Sequence, residues 1–306
     1  MSRPAVAVRP LCADDAAARG DPLGATASRV RRWLLVEYDG YWPYDPLDAA
    51  PFAGPVRERL REGLAAARHA KLLLVKRPRR GERNGGTAVI YGETVERGSR
   101  FRRVHVERAA DVGDLDVAAL LRGDETAGEP IGHPLLLVCT HGKRDRCCAR
   151  YGQKVCEALQ RHAPPGWAWQ SSHVGGDRFA GNVVALPEGL YFGHVEPDAV
   201  PSLIDAYRSG RIDLDHYRGR SCYPFPVQAA EIAVRGKLGR DGLCDVSVGR
   251  VERAGDGWRV EITTDVAGEV YPVDVAVEET EPAFLTCRAD TPRRARNFVA
   301  RTRIDA

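Results

Sequence analysis

Short apolar runs, punctuated by glycine, proline and charge, divide this chain into alternating strand and helix patterns. Residues 32–38 (Arg-Trp-Leu-Leu-Val-Glu-Tyr) form an almost unbroken apolar run of strand length, closed by Asp39 and Gly40. That pattern predicts a buried strand. After a proline-rich loop through Pro55, Val56, Leu60, Leu64 and Ala67 recur at helical spacing with Arg and Glu between them, predicting a helix over 56–70. Residues 71–77 (Lys-Leu-Leu-Leu-Val-Lys-Arg) are a second strand stopped by Pro78, and 87–91 and 100–106 read as further strands. A single helical turn is expected at 117–121. Residues 1–28 show no periodicity and are expected to be a mobile tail.

The order then recurs. Residues 134–139 are a strand, and 147–162 a helix with Val155 and Leu159 turned inward. Strands follow at 167–170, 183–186 and 191–195, and a helix at 199–209. The strand–helix–strand–strand–helix order of 134–209 matches a thioredoxin-like unit. After residue 217 the texture changes. A short helix at 227–238 precedes 244–251, 257–264 and 269–278, where apolar and polar residues alternate as in half-buried antiparallel strands. The fold class is therefore α/β, with a small β-rich module at the C-terminal end.

Composition narrows the classes of function. Hydrophobic residues make up 43% and charged residues 28%, values of an ordinary folded chain, which exclude disorder of the whole. No apolar run approaches the ~18 residues of a membrane-spanning helix, so no membrane partner is expected. The net charge is only +3, against a dedicated nucleic-acid binder. Of the 45 basic residues only five are lysine, which reads as a composition bias and not as a phosphate site. Residues 1–24 lack the apolar core of a secretory signal. The expected setting is cytoplasmic and reducing, where disulfides are rare.

Eight cysteines then need another account: Cys12, Cys139, Cys147, Cys148, Cys156, Cys222, Cys244 and Cys287. Four lie between 139 and 156, in and after Val138-Cys-Thr-His-Gly-Lys-Arg-Asp-Arg-Cys-Cys-Ala-Arg-Tyr-Gly152. This places Cys139 at a strand end and Cys147 and Cys148 at a helix start, the usual ligand position of an open α/β sheet. The helix end also favours thiolate. The second stretch is Ser171-Ser-His-Val-Gly-Gly-Asp-Arg-Phe-Ala-Gly-Asn182. His173 and Asp177 flank Gly175-Gly176, a pair that permits positive φ and close approach to a bound group. Two cysteines and a His/Asp pair make four ligands, the count of a tetrahedral zinc ion or a [2Fe–2S] cluster.

Cys-Thr-His-Gly-x-Arg-Asp-x-Cys-Cys-Ala-x-x-Gly, followed by Ser-Ser-His-Val-Gly-Gly-x-Arg-Phe-Ala, closely resembles the sucrase/ferredoxin-like family over roughly 29–210. The resemblance implies a thioredoxin-like ferredoxin. The expected organisation is a tail (1–28), an N-terminal α/β region (29–132), a thioredoxin-like ferredoxin domain (133–215) and a β-rich module (216–306). It also implies a [2Fe–2S] cluster on two cysteines separated by eight residues and two histidines separated by three. Carried over, the ligands are Cys139, Cys148, His173 and the occupant of 177, which here is Asp177. Three readings of that departure stay open. Asp177 ligates iron; or it orients His173 or a nearby arginine while Cys147 or water completes the site; or the cluster is lost.

His141, Arg144 and Asp145, between the ligand cysteines, are candidates for tuning the site by hydrogen bonds to sulfur, with loop capping as the alternative. Cys156 reads as core, as do Trp167 and Trp169. Cys12, Cys222, Cys244 and Cys287 read as structural or incidental, and His194 as a surface histidine. The leading function is a one-electron carrier serving an unidentified redox partner protein. The alternatives are a thiol-redox or cysteine-sensor protein built on Cys147-Cys148, and a zinc-stabilised, non-redox interaction protein. No carboxylate pair is placed for glycosidase chemistry, and no Gly-x-Ser-x-Gly, P-loop or His-Glu-x-x-His occurs.

Overall fold

The computed structural model describes residues 9–77, 86–265 and 268–302. A short helix, α1 (Cys12–Arg19), precedes two runs built to one plan. The first comprises β1 (Arg32–Glu37), α2 (Pro55–Ala65), β2 (Ala70–Lys76), β3 (Thr87–Glu93), β4 (Arg100–Val106) and α3 (Val117–Arg122), followed by the two-residue β5 (Glu129–Pro130). The second comprises β6 (Leu135–Cys139), α4 (Arg146–His162), β7 (Ala168–Ser171), β8 (Val183–Leu186), β9 (Leu190–Phe192) and α5 (Val200–Arg208). Then come β10 (Tyr217–Arg220), α6 (Phe225–Leu238) and four strands, β11 (Val246–Ala254), β12 (Gly257–Thr264), β13 (Val270–Glu279) and β14 (Arg296–Thr302).

Strands β1 to β10 form one sheet in the order β10-β9-β8-β6-β7-β2-β1-β3-β4-β5. Within each run the first strand lies parallel to the second and antiparallel to the third, and the third pairs with the fourth. The thioredoxin-like arrangement expected for the second run is thus matched, strand for strand, by the first. The two meet antiparallel through their second strands, with Val75 opposite Ser171 and Lys76 opposite Gln170.

β1 and β6 sit inside the sheet and are covered on both faces, which is why they read as continuous apolar runs. Leu34, Val36, Leu72 and Leu74 pack under α2 and α3, and Leu136, Val138, Ala185 and Phe192 under α4 and α5. The alternate residues Trp33, Leu35, Leu73, Leu135, Leu137 and Trp169 share a single core on the opposite face, with Ala27 and Val30 laid against it. That shared core joins the two runs into one body.

β11 to β14 form a separate antiparallel sheet in sequence order, packed on α6. α6 is covered on several sides, so it buries Gln228, Glu231 and Arg235 along with its apolar residues. Arg235 Nε donates to Glu231 Oε1 at 2.9 Å, and Glu231 also accepts from Tyr217 at 3.1 Å, so the buried charges are paired.

Three features differ from the sequence expectation. Residues 12–19 are helical and buried at Cys12, Ala13 and Ala16, where a mobile tail was expected. One short face docked on a distant part of the chain leaves too little periodicity to read. The helix expected to reach residue 70 ends at Ala65, because Ala70 already pairs with Arg32. Beyond residue 215, β10 extends the large sheet, and β14, not expected at all, closes the small one.

Arg218, on β10, is fully buried. It donates to Thr26 Oγ1 and O at 3.0 and 2.6 Å, to Gly175 O at 3.0 Å and to Asn182 Oδ1 at 2.7 Å. It therefore holds the chain before β1 against the loop that carries His173 and Asp177. Arg218→Met leaves those acceptors without their donor in a closed interior. The expected loss is about 3 kcal/mol of unfolding free energy, measured by urea denaturation.

Candidate metal centre

β6 delivers Cys139 to the carboxyl end of the large sheet. The Cys139 N–H donates to Asn182 O at 3.1 Å, and the Thr140 N–H to Ser171 O at 3.1 Å. The chain then turns tightly: the N–H groups of Arg144 and Asp145 both donate to His141 O. Asp145 caps α4, its Oδ1 accepting from the Cys147 N–H at 2.9 Å. Cys148 consequently lies in the first helical turn, facing the strand end. The approach is close because Gly152 has no side chain; a Cβ there would stand 2.0 Å from Cys139 O.

The second motif leaves β7 at Ser171. Gly175 and Gly176 have φ of 112° and 83°, the left-handed values that only glycine adopts without strain. A single turn at Asp177–Phe179 follows, and Asn182 Nδ2 donates back to Gly176 O at 2.9 Å. His173 and Asp177 are thereby turned toward the cysteines.

Sγ of Cys139, Sγ of Cys148 and a ring nitrogen of His173 come within 4.8 Å of one another; Asp177 lies outside that closest group. Its Oδ1 nevertheless accepts from Cys148 Sγ at 3.4 Å and stands 3.0 Å from His173 Nδ1. That contact lacks the alignment of a hydrogen bond, so Nδ1 is a buried nitrogen with no hydrogen-bonded partner.

The electrostatics favour a charged site. Contact with Cys148 holds the Cys139 thiol well below its ordinary range, helped by His173 and the His141 N–H, and the same contact pushes Cys148 up. Burial opposes a charge on His173, but Asp177 and Cys139 outweigh it and raise its pKa to about 9. Burial likewise works against Asp177, and His173 overcomes it, so the carboxylate stays ionised. A thiolate and a carboxylate thus face one imidazolium in a buried pocket, and the Lys71, Arg144 and Arg218 charges supply the remaining balance. A thiophilic metal would replace the protons on Cys148 and His173.

The residues between the two cysteines divide. His141 is buried, with Nε2 3.3 Å from Trp42 O, and only its backbone N–H favours the Cys139 thiolate. Arg144 stacks on Tyr44, 4.0 Å from the ring centroid. Asp145 turns the other way, with its Oδ2 accepting from the Cys287 N–H at 2.7 Å. Cys147 goes with it: its Sγ lies 3.2 Å from Cys287 Sγ and 3.5 Å from Cys12 Sγ. Successive helical residues point about 100° apart, so Cys147 and Cys148 face different sides. Cys147 is therefore not placed to substitute as a ligand beside Cys139.

Cys12 and Cys287, expected to be structural or incidental and without ligand-like partners, join it in a second buried group. The adjacent Cys147-Cys148 pair was the available signal, since only one of the two can face the strand end. The remaining expectations stand closer to the structure. Cys156 and Trp169 are core residues, Cys222 is half-buried, Cys244 is exposed, and Trp167 packs at the edge of a core. His194 is half-buried against Phe179, not a surface group.

A family model described as sucrase/ferredoxin-like matches residues 23–219, and the chain belongs to that family. Among curated proteins it is similar to "Altered inheritance of mitochondria protein 32". The protein of Eremothecium gossypii is 33% identical over 108 residues, covering 30% of this chain and 34% of that protein. That of Meyerozyma guilliermondii is 35% identical over 104 residues, covering 30% and 36%. The matched part thus spans about a third of the length of these relatives. Among solved structures, a cysteine-to-serine variant of the thioredoxin-like [2Fe–2S] ferredoxin from Aquifex aeolicus aligns with 18% identity and a TM-score of 0.25, covering 28% of this chain and 97% of that one.

Gly152→Ala tests the contact between α4 and β6. The added methyl forces the helix away from Cys139 O, and the expected cost is about 1–3 kcal/mol. Thermal unfolding measures that cost. Metal content after anaerobic loading should fall with it, because Cys148 moves with the helix.

Proposed function

We propose that this chain is a [2Fe–2S] ferredoxin-like one-electron carrier. Cys139, Cys148 and His173 would hold the cluster, and Asp177 would stand where the family pattern has a second histidine. The observation that carries this reading is the convergence of two thiols and a buried, unbonded imidazole nitrogen from two separate motifs. Thiolate and imidazole donors suit iron–sulfur chemistry. When bound, the cluster supplies a reversible one-electron couple.

The chain's own residues set the conditions for that couple. Asp177 adds negative charge beside the donors, which favours the oxidised state. Arg218 and Asn182 hold the loop that positions it. Trp42 and Tyr44, from the first run, cover the turn between the two cysteines. The partner would be a redox protein in a reducing compartment such as the cytoplasm.

Anaerobic reconstitution with iron and sulfide, followed by EPR of the dithionite-reduced protein, tests this reading. Wild type should show a reduced [2Fe–2S] signal, and Asp177→His should move the reduction potential upward by on the order of 100 mV, because a neutral imidazole replaces a carboxylate. Asp177→Ala should alter the g-values. Iron absent after reconstitution, or zinc bound in its place, would overturn the carrier assignment.

A further inference from the structure

The second cysteine group belongs to none of the chemistry above. It gathers Cys12 from α1, Asp145 and Cys147 from the start of α4, and Cys287 from the segment between β13 and β14. We propose that these four residues form a second, separate binding site for a single zinc ion.

The geometry is that of a closed mononuclear site. The three sulfurs stand 3.2, 3.5 and 3.6 Å apart, and all four ligand atoms lie within 4.8 Å of one another. Tetrahedral zinc with bonds of about 2.3 Å to sulfur separates its thiolates by about 3.8 Å, a few tenths of an ångström of expansion. The sulfurs are too far apart to be a disulfide, whose S–S bond is about 2.05 Å. Asp145 supplies the fourth ligand. Its Oδ1 and Oδ2 accept from the N–H groups of Cys147 and Cys287, and they stand 3.8 and 3.9 Å from Cys12 Sγ. Each carboxylate oxygen keeps a second lone pair for the metal.

The surroundings are arranged for sulfur that carries charge. The Cys12 N–H donates to Cys287 Sγ at 3.5 Å and the Ala13 N–H to Cys147 Sγ at 3.4 Å, aiming the first turn of α1 at the sulfurs. All four ligands are buried. Three thiols and a carboxylate on three segments, more than 130 residues apart in sequence, pack into one closed space. Zinc binding would expel the three thiol protons to solvent, with no electron transferred. It would tie α1 and the 287 segment onto α4, one residue from Cys148, and would close the outer side of the first centre.

Metal analysis of the full chain tests this directly. Zinc-loaded wild type and Cys139→Ser should each retain about one zinc per chain at this site, while Cys12→Ser and Cys287→Ser lose it roughly tenfold or more. Cobalt titration gives the same comparison through the visible bands of tetrahedral cobalt thiolate. A measurement on wild type needs no folded variant: chelation should make Cys12, Cys147 and Cys287 react with iodoacetamide while Cys156 stays protected. Unchanged zinc in both variants overturns the site. So does thiol reactivity indifferent to chelation, or a native Cys147–Cys287 disulfide found by mass spectrometry. Iron content at the first centre is read separately, so the two assignments fail independently.

Discussion

The geometry of one helical turn governs this molecule. Cys147 and Cys148 are neighbours at the start of α4, and a helix turns its side chains by about 100° per residue. Cys148 faces the end of β6, and Cys147 must then face away from it. Asp145, capping the same helix, has its carboxylate beneath the Cys147 N–H and so falls on the Cys147 side. One turn of helix therefore serves two groups of sulfur back to back. Everything that positions this turn bears on both: the absent side chain at Gly152, the N-cap, and the tight turn through His141.

Charge separates the two groups further. Around Cys139, an imidazolium and the Lys71, Arg144 and Arg218 charges answer a thiolate and a carboxylate. The Cys12 group contains no such cation. It has three sulfurs, a carboxylate and the N–H groups of α1. Its thiols must keep their protons or share a divalent ion, since burying several unbalanced anions is prohibitively costly.

Much of the large sheet was legible in the sequence because its central strands are covered on both faces. Residues 32–38 and 134–139 show this as unbroken apolar runs, and the helix at 147–162 shows it as spacing. Cys139, Cys148, His173 and Asp177 were legible for a different reason. Each motif is local, and Gly175-Gly176 marks a turn in any context. What the chain could not display was convergence between distant segments. Cys12 sits in a stretch without periodicity, and Cys287 in a segment between strands. Nothing near either residue in sequence hints at the other. Helix α1 was missed for the same cause, since eight residues docked on a remote surface need no pattern of their own. Buried polar residues such as Arg218 and Glu231 were equally silent, because their partners come from elsewhere in the chain.

The doubled plan of the sheet bears on how another protein can approach. Alone, either run would leave its second strand, β2 or β7, as an open edge with unpaired backbone groups, a template for aggregation. Joined, they pair at Val75–Ser171 and Lys76–Gln170, which closes part of each edge. The outer margins are also blunted: β5 has two residues, while β10 is bulged between Tyr217 and Gly219 and buried along its length. The outer margins of the large sheet are thus short or covered, whereas β11, the outer strand of the small sheet, is nine residues long and exposed over much of its length. The loop that carries Tyr41 and Tyr44 holds exposed aromatic side chains beside the turn between Cys139 and Cys148.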